Sequence, residues 1–497
     1  MIFSSALFFF FFAAVFTMHW AILPGLVPPR HLRTARHAAL LIASYVFFAS
    51  YEWIYAFLLL FFTLTAYGSA FYLQPGGSRD KLRGWLLLAV IVTFVGLLGY
   101  YKYYNFFLGN LLTLVGIVGY HPDVVFHTIA LPLGISFFTF QALSYVIDVW
   151  RGKTPVEQSF LRFALFKSFF PQLVAGPIVT AREFLPQLYA DKELDLERLR
   201  SGARWFALGF IKKAVIADNV SPAVDMLFAN PAGQFLHNSS GAWLAALGFS
   251  AQLYADFSGY SDMAWGSAIW LGFDLPENFR MPYMARSITD HWRRWHMSLA
   301  RWIREYVYIS MGGNRVSFVR HKVNLLFSFV ISGLWHGANW TYVVWGTAQG
   351  IILVIENTLG EWKKKREEGQ PVTEPGAFTR IISVPVQLTL WLYMFIFTTS
   401  SHVVFRSPSL SAAWTHLKTM YSFSSQGLAP QPSIYRPILI STVVVLLGQL
   451  FGYWYFEKKK FQVKVPIWLE FAFYPFMILA LIQLAAPEGG AFIYFVF

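Results

Sequence analysis

Ser332-Gly333-Leu334-Trp335-His336-Gly337-Ala338-Asn339-Trp340 interrupts an apolar stretch that begins after Lys322 and runs on to the basic cluster Lys363-Lys364-Lys365-Arg366. Fourteen positions separate Lys322 from His336, a helical rise of roughly 20 Å at about 1.5 Å per residue. Gly337 then breaks the helix and the chain returns to the side it left. The reading is a membrane hairpin with His336 deep and near its apex. An ionisable group is costly to keep there, so His336 is a functional candidate.

The whole chain has the same character. Of 497 residues, 56% are hydrophobic and 13% charged, against roughly 25% charged in a soluble domain. This predicts an all-α polytopic membrane protein of roughly eleven or twelve spans of about 20 residues. It would form one integral domain over 1–497, with N-terminal helices in 1–150, a catalytic core in 151–360 and C-terminal helices in 361–497. The net charge of +13 gathers in short clusters between apolar runs, which argues for topology signals and lipid headgroups rather than nucleic acid. The absence of Cys excludes disulfides, thiolate metal ligands and an acyl-cysteine. Met1 to Leu26 lacks a basic start and a small-residue cleavage site, so it is expected to stay as a span.

Basic loops set the expected orientation. Arg30, Arg33 and Arg36, then Arg79, Lys81 and Arg83, fall on the cytoplasmic side, with both termini outside. Arg151 to Lys153, Arg280 to Lys322, Lys363 to Arg366 and Lys458 to Lys460 are cytoplasmic by alternation. The run from Phe160 to Thr180 then starts and ends on one side and carries Lys167, Pro171, Gly176 and Pro177. It should be re-entrant and lie beside an internal cavity. Residues 273–322 hold no run long enough to span. Trp292, Trp295, Leu299, Trp302 and Ile303 recur there at helical spacing among arginines, which suggests amphipathic in-plane helices. An interfacial lipid anchor is the plain alternative. Gly360 to Ala377 has the composition of a linker.

A neutral imidazole can take a proton from a hydroxyl that attacks a carbonyl, which suits acyl transfer to an alcohol. The plain alternative for His336 is a buried histidine bonded to a neighbouring helix. Ser332, Gly333 and Gly337 permit close backbone approach, while Trp335, Asn339 and Trp340 can shape a site. His296, in Asp290-His291-Trp292-Arg293-Arg294-Trp295-His296-Met297-Ser298, lies on the in-plane segment and could reach the same cavity from the cytoplasm. Topology thus makes the two histidines opposite ends of one path rather than a single site, although an interfacial role for His296 stays open. His291 and His296 are five apart with no acidic cluster, so no metal is expected. Serine-hydrolase, ATPase and dinucleotide motifs are missing. Secondary transport remains a competitor, with Lys102, Asp148, Asp256, Asp262 and Glu356 as the charges it would use.

Further stretches carry a resemblance. They are Met1-Ile2-Phe3-Ser4-Ser5, Tyr101-Lys102-Tyr103-Tyr104-Asn105, and Leu131-Pro132-Leu133-Gly134-Ile135-Ser136-Phe137-Phe138-Thr139-Phe140-Gln141. Downstream come Phe170-Pro171-Gln172-Leu173-Val174-Ala175-Gly176-Pro177-Ile178, Tyr254-Ala255-Asp256-Phe257-Ser258-Gly259-Tyr260-Ser261-Asp262, Asn278-Phe279 and both histidine motifs. With these the chain resembles, over nearly its whole length, the membrane-bound O-acyltransferase family. Within it the chain is most similar to the subgroup of alginate and cellulose O-acetylation proteins, with the D-alanyl transferase of teichoic acid more distant.

The resemblance implies a ring of tilted helices around a thin centre, with an outer funnel and a cytoplasmic tunnel, in a bacterial inner membrane. It implies that His336 is the embedded catalytic histidine and His296 the second motif histidine. Acetyl from acetyl-CoA would cross to a polysaccharide hydroxyl, relayed by a periplasmic acetyltransferase partner, with no tightly bound cofactor. His336 would activate the acceptor and His296 would orient or polarise the donor carbonyl. Arg293 and Arg294 would attract the anionic donor or, alternatively, face lipid, and Trp335, Asn339, Gln172 and Asp290 would shape the site. Acylation of teichoic acid or a lipid from a carrier protein stays open, as does transport.

Overall fold

In the computed structural model the described residues form helices and loops, with no strand among them. They comprise all positions except 77–79, 121–125, 127–128, 175, 230–237, 369–376, 426–430, 458–483 and 486–497. Lys458 to Lys460, the C-terminal tail and most of the second half of the expected linker lie outside them. The first half of that linker is not a linker. The Trp340–Glu367 helix runs through Gly360, and Lys364, Lys365 and Arg366 occupy its last turn, where cations complement the helix dipole.

Five described helices are long and apolar enough to cross a membrane: Ala6–Leu26, Tyr55–Leu73, Lys81–Ile117, Val384–Arg406 and Pro432–Tyr455. Length and composition alone therefore do not reach the expected eleven or twelve. The hairpin around His336 is outside this set because its helices carry polar residues that the protein buries, among them Lys322, Asn324, Ser328 and Gln349. The apolar spans turn large side chains outward, as with Phe10 at 77% and Phe57 at 64% exposure. Water would penalise that surface and lipid does not. The chain is an integral membrane protein.

Two compact units divide the chain: Met1–Phe210 with Tyr260–Pro276, and Ile211–Gly259 with Glu277–Phe497. In the first, Phe3, Phe8, Phe47, Phe170 and Phe206 form a packed aromatic centre. The Phe160–Thr180 run belongs to this unit and is broken as its sequence predicts. A helix over Phe160–Ser168 is capped by Ser159 and stops at Phe169. One turn follows over Phe170–Leu173, with Pro171 at its start, where the missing N–H costs nothing. Lys167 is buried and donates to the Phe138 carbonyl at 2.7 Å and to Gln141 Oε1 at 3.2 Å, which ties this run to the Ile135–Trp150 helix. Gly134, before that helix, has φ 69° and lies where a Cβ would meet the Leu173 carbonyl, so its place in the motif is steric.

Candidate active site

The second unit holds both histidines. His336 is the last residue of the Phe318–His336 helix, and the extended Gly337 ends it. Asn339 caps the following Trp340–Glu367 helix by accepting from Thr341 N at 3.0 Å. A Cβ on Gly337 would collide with the Tyr342 ring, one on Gly333 with the Tyr342 carbonyl, and one on Gly346 with the Phe329 carbonyl. Small residues thus let the two helices of the hairpin touch, as they do in membrane interiors. His336 is 2% exposed and is ringed by Trp335, Trp345 and Phe405, at centroid distances of 5.0, 5.1 and 5.2 Å.

The segment expected to lie in-plane is a chain of short helices, Ile288–Trp292 and Met297–Trp302, the latter continued by a wider turn over Ile303–Tyr308. The joint is His296 itself, in the left-handed region at φ 42°, ψ 51°. A non-glycine residue held there stores strain, which the surrounding bonds must offset. Asn278 supplies them. Its carbonyl accepts Met297 N at 3.0 Å, and its Oδ1 accepts Ser298 N at 3.2 Å, Ser298 Oγ at 2.8 Å and His296 Nδ1 at 3.2 Å. Because Oδ1 takes a backbone N–H it is an oxygen, so Nδ1 of His296 carries the proton and Nε2 the lone pair. Burial lowers the pKa of His296 to about 3, so it is neutral at neutral pH.

The interfacial reading of this segment fails. His296 is 0% exposed, and Trp292, Trp295, Leu299, Trp302 and Ile303 are all buried, so the aromatic stripe packs into protein rather than lipid. Nor are the two histidines separated. Their ring centroids are 6.5 Å apart, and Trp335 stands 5.6 Å from His296. The left-handed joint and the Asn278 clamp turn His296 inward to the end of the His336 helix, which a count of spans has no means to register.

A pocket of about 780 Å³ adjoins them, lined by Arg293, Arg301, Arg304, Trp292 and Ser332 among others. That volume suits a cofactor-sized ligand. Ser332 is one turn before His336 on the same helix. Among the predicted residues, Arg293 reaches this pocket and Arg294 does not. Arg294 is spent on Asp290 at 2.7 Å and on Glu457, which accounts for Asp290 as well. Asn339 has a structural post, since its amide also donates to the Pro408 carbonyl at 3.0 Å. Gln172 lies in the first unit, where its amide donates to the Phe166 carbonyl at 2.6 Å.

Three of the charges a transporter would use, Asp148, Asp256 and Glu356, are held in place by structural partners. Asp256 and Asp218 flank Lys213 at 2.6 and 2.7 Å. Asp148 pairs with Arg182 at 3.1 Å. Glu356 accepts the Ile288 and Thr289 amides at the start of a short helix. Two polar residues near His336 escaped the sequence reading: Gln349 and His402 line a small cavity with it and with His291. A histidine inside the apolar Val384–Arg406 span is the same costly signal that marked His336, and His402 was legible on that ground.

A profile of the membrane-bound O-acyltransferase family matches residues 137–401, a stretch holding both histidines. The chain is 38% identical to the probable alginate O-acetylase AlgI of Pseudomonas aeruginosa, over 94% of this chain and 84% of that one. It is 35% identical to the peptidoglycan O-acetyltransferase of Helicobacter pylori over 78% and 74% of the two chains. The teichoic acid D-alanyltransferase of Bacillus subtilis is 29% identical over 50% of this chain and 63% of its own. The chain belongs to the membrane-bound O-acyltransferase family and is an O-acyltransferase, and the transport reading is withdrawn.

Proposed function

We propose that the protein moves acetyl from acetyl-CoA, entering on the cytoplasmic side of a bacterial inner membrane, to hydroxyls of an exported polysaccharide. The carrying observation is the pair of buried rings, His296 and His336, 6.5 Å apart beside an arginine-lined pocket. Phosphates of the donor would meet Arg293, Arg301 and Arg304 at the exposed rim, where paired N–H donors favour phosphate oxygens. The acyl thioester would then extend past Trp292 and Ser332 toward His336.

In the reaction the acceptor oxygen bonds to the thioester carbonyl carbon as His336 takes the hydroxyl proton. The tetrahedral intermediate collapses, the carbon–sulfur bond breaks, and the thiolate recovers the proton from the imidazolium. His296 was expected to orient or polarise the donor carbonyl. With its proton on Asn278 it offers an acceptor, so it suits holding the acceptor hydroxyl or the imidazolium of His336, and polarising a carbonyl would need a second N–H that its burial disfavours. The acceptor class is drawn from the relatives. Those covering most of the chain are an alginate O-acetylase and a peptidoglycan O-acetyltransferase, whereas the D-alanyltransferase matches only half of it. Where a separate outer-side acetyltransferase relays the group, the hydroxyl acetylated in this step is that protein's, and a second transfer carries acetyl to the sugar.

The test is turnover of labelled acetyl-CoA by purified protein in lipid nanodiscs with oligosaccharide acceptors of the alginate and peptidoglycan types. Label in the sugar ester, either directly or once an outer-side acetyltransferase is added, supports the proposal. Turnover with an acylated carrier protein and none with acetyl-CoA would replace it with the teichoic acid type of reaction.

A further inference from the structure

We infer that His402 is a positioning residue for His336, acting through one water in a small polar cavity that both side chains line; this rests on the reading of His336 as the base. The cavity leaves about 10 Å³ for water centres, and His291, Gln349 and Ser401 also line it. That is about the least space that holds one water.

The tautomer of His402 follows from its neighbour. Ser250 has one hydroxyl proton and gives it to the Ala246 carbonyl at 2.8 Å. Its oxygen therefore accepts the 2.9 Å contact from His402 Nδ1. His402 carries its proton on Nδ1 and its lone pair on Nε2. Gln349 is 3% exposed and lines the cavity. A buried amide left unbonded is costly, so a water there is favoured. Two of the other lining groups have partners elsewhere: Ser401 Oγ donates to the Thr398 carbonyl at 2.8 Å, and the His291 ring engages the Pro282 carbonyl, while the buried Trp345 Nε1, on another lining residue, has none among the described residues.

A water in the cavity would donate to His402 Nε2 and to Gln349 Oε1, and would accept from a ring N–H of His336. Three bonds are usual for a buried water. The arrangement fixes the tautomer of His336, with an N–H toward the water and the opposite nitrogen able to take the hydroxyl proton. It also sets the water oxygen against the imidazolium once that forms. His402 orients the base without touching substrate.

The test uses full-length protein in nanodiscs with acetyl-CoA and an oligosaccharide acceptor. His402→Phe is expected to lower kcat at least about tenfold, the scale of outer-shell losses, with KM for acetyl-CoA unchanged. His402→Gln, which keeps an N–H for Ser250 and an acceptor oxygen, should recover activity to within about threefold. A normal kcat in His402→Phe overturns the inference, as does equal impairment of the Phe and Gln variants. Should His402→Phe fail to fold, Gln349→Leu decides: it leaves Ser250 alone, must show the same loss in kcat, and overturns the inference if it does not. His336→Ala separates the two readings. Turnover surviving in that variant sinks the base assignment, whereas an inactive His336→Ala beside a fully active His402→Phe sinks only the role of His402.

Discussion

His296, at the joint between two short helices, and His336, at the end of a long one, lie with ring centroids 6.5 Å apart, with Trp335 packed against both. In the proposed reaction, two imidazoles this close would give one acceptor hydroxyl both a base and an orienting partner, which a single histidine would not.

Removing the base should be nearly complete in effect. His336→Ala is expected to lower acyl transfer by about 10²–10⁴-fold, the usual worth of a positioned general base. Monodisperse behaviour in detergent should persist. Single-turnover transfer from labelled acetyl-CoA measures this, and a loss under tenfold would exclude the role.

Asn278 should matter as much as a histidine. Asn278→Ala strips the acceptor from Ser298 N, Ser298 Oγ and His296 Nδ1, leaving buried donors unpaired at about 1–3 kcal/mol each. The left-handed turn at His296 then loses its support. A thermal midpoint several degrees lower, together with a reduced kcat, is the expected result. Asn278→Asp, which keeps the acceptor, should be milder in both.

Adjacent arginines should separate. Arg293→Ala is expected to raise KM for acetyl-CoA and to weaken the dependence of KM on salt, since Arg293 lines the pocket. Arg294→Ala should leave KM in place and cost about 1–2 kcal/mol of stability, because Asp290 and Glu457 lose their partner. Initial rates at two ionic strengths and thermal unfolding of both variants check this pair. Equal effects of the two on KM would contradict the pocket assignment.

Stability should fall with acid through two histidines outside the spans. Burial lowers the pKa of His296 from 6.5 to about 3 and of His291 from 6.5 to about 4, the latter opposed by the Pro282 carbonyl and Asp290. The folded state holds each neutral while the unfolded chain takes a proton below pH 6.5. Their contribution is complete above that value and shrinks as the pH falls toward the folded values, by about 1.4 kcal/mol per histidine for each unit. Thermal midpoints between pH 7.5 and 5 should drop, and His296→Gln should flatten the slope.

The glycine crossing gives a test of the hairpin. Gly346→Leu places a side chain against the Phe329 carbonyl and Gly333 and should abolish monodisperse protein. Gly360→Ala, on the same helix with nothing within 4 Å of the added Cβ, should be tolerated. Fluorescence-detected size exclusion of both distinguishes local packing from helix propensity.

The membrane character, the broken hairpin around His336 and the broken Phe160–Thr180 run were legible because each depends on local chemistry: apolar length, glycine and proline. His336 could be singled out because a buried ionisable group is costly wherever it sits. The fate of the charges was not legible. Arg293 and Arg294 are neighbours in sequence, yet one lines a pocket and the other is held by Asp290 and by Glu457, which is 163 positions away. Asn339 looked like a site residue and is a helix cap; His402 and Gln349 passed unremarked and line the cavity of the candidate base. The meeting of His296 with His336 was hidden for the same reason. It depends on a left-handed turn held by Asn278, eighteen residues earlier, and periodicity and charge alternation report where a helix lies along the chain but not which way a clamped joint turns a ring.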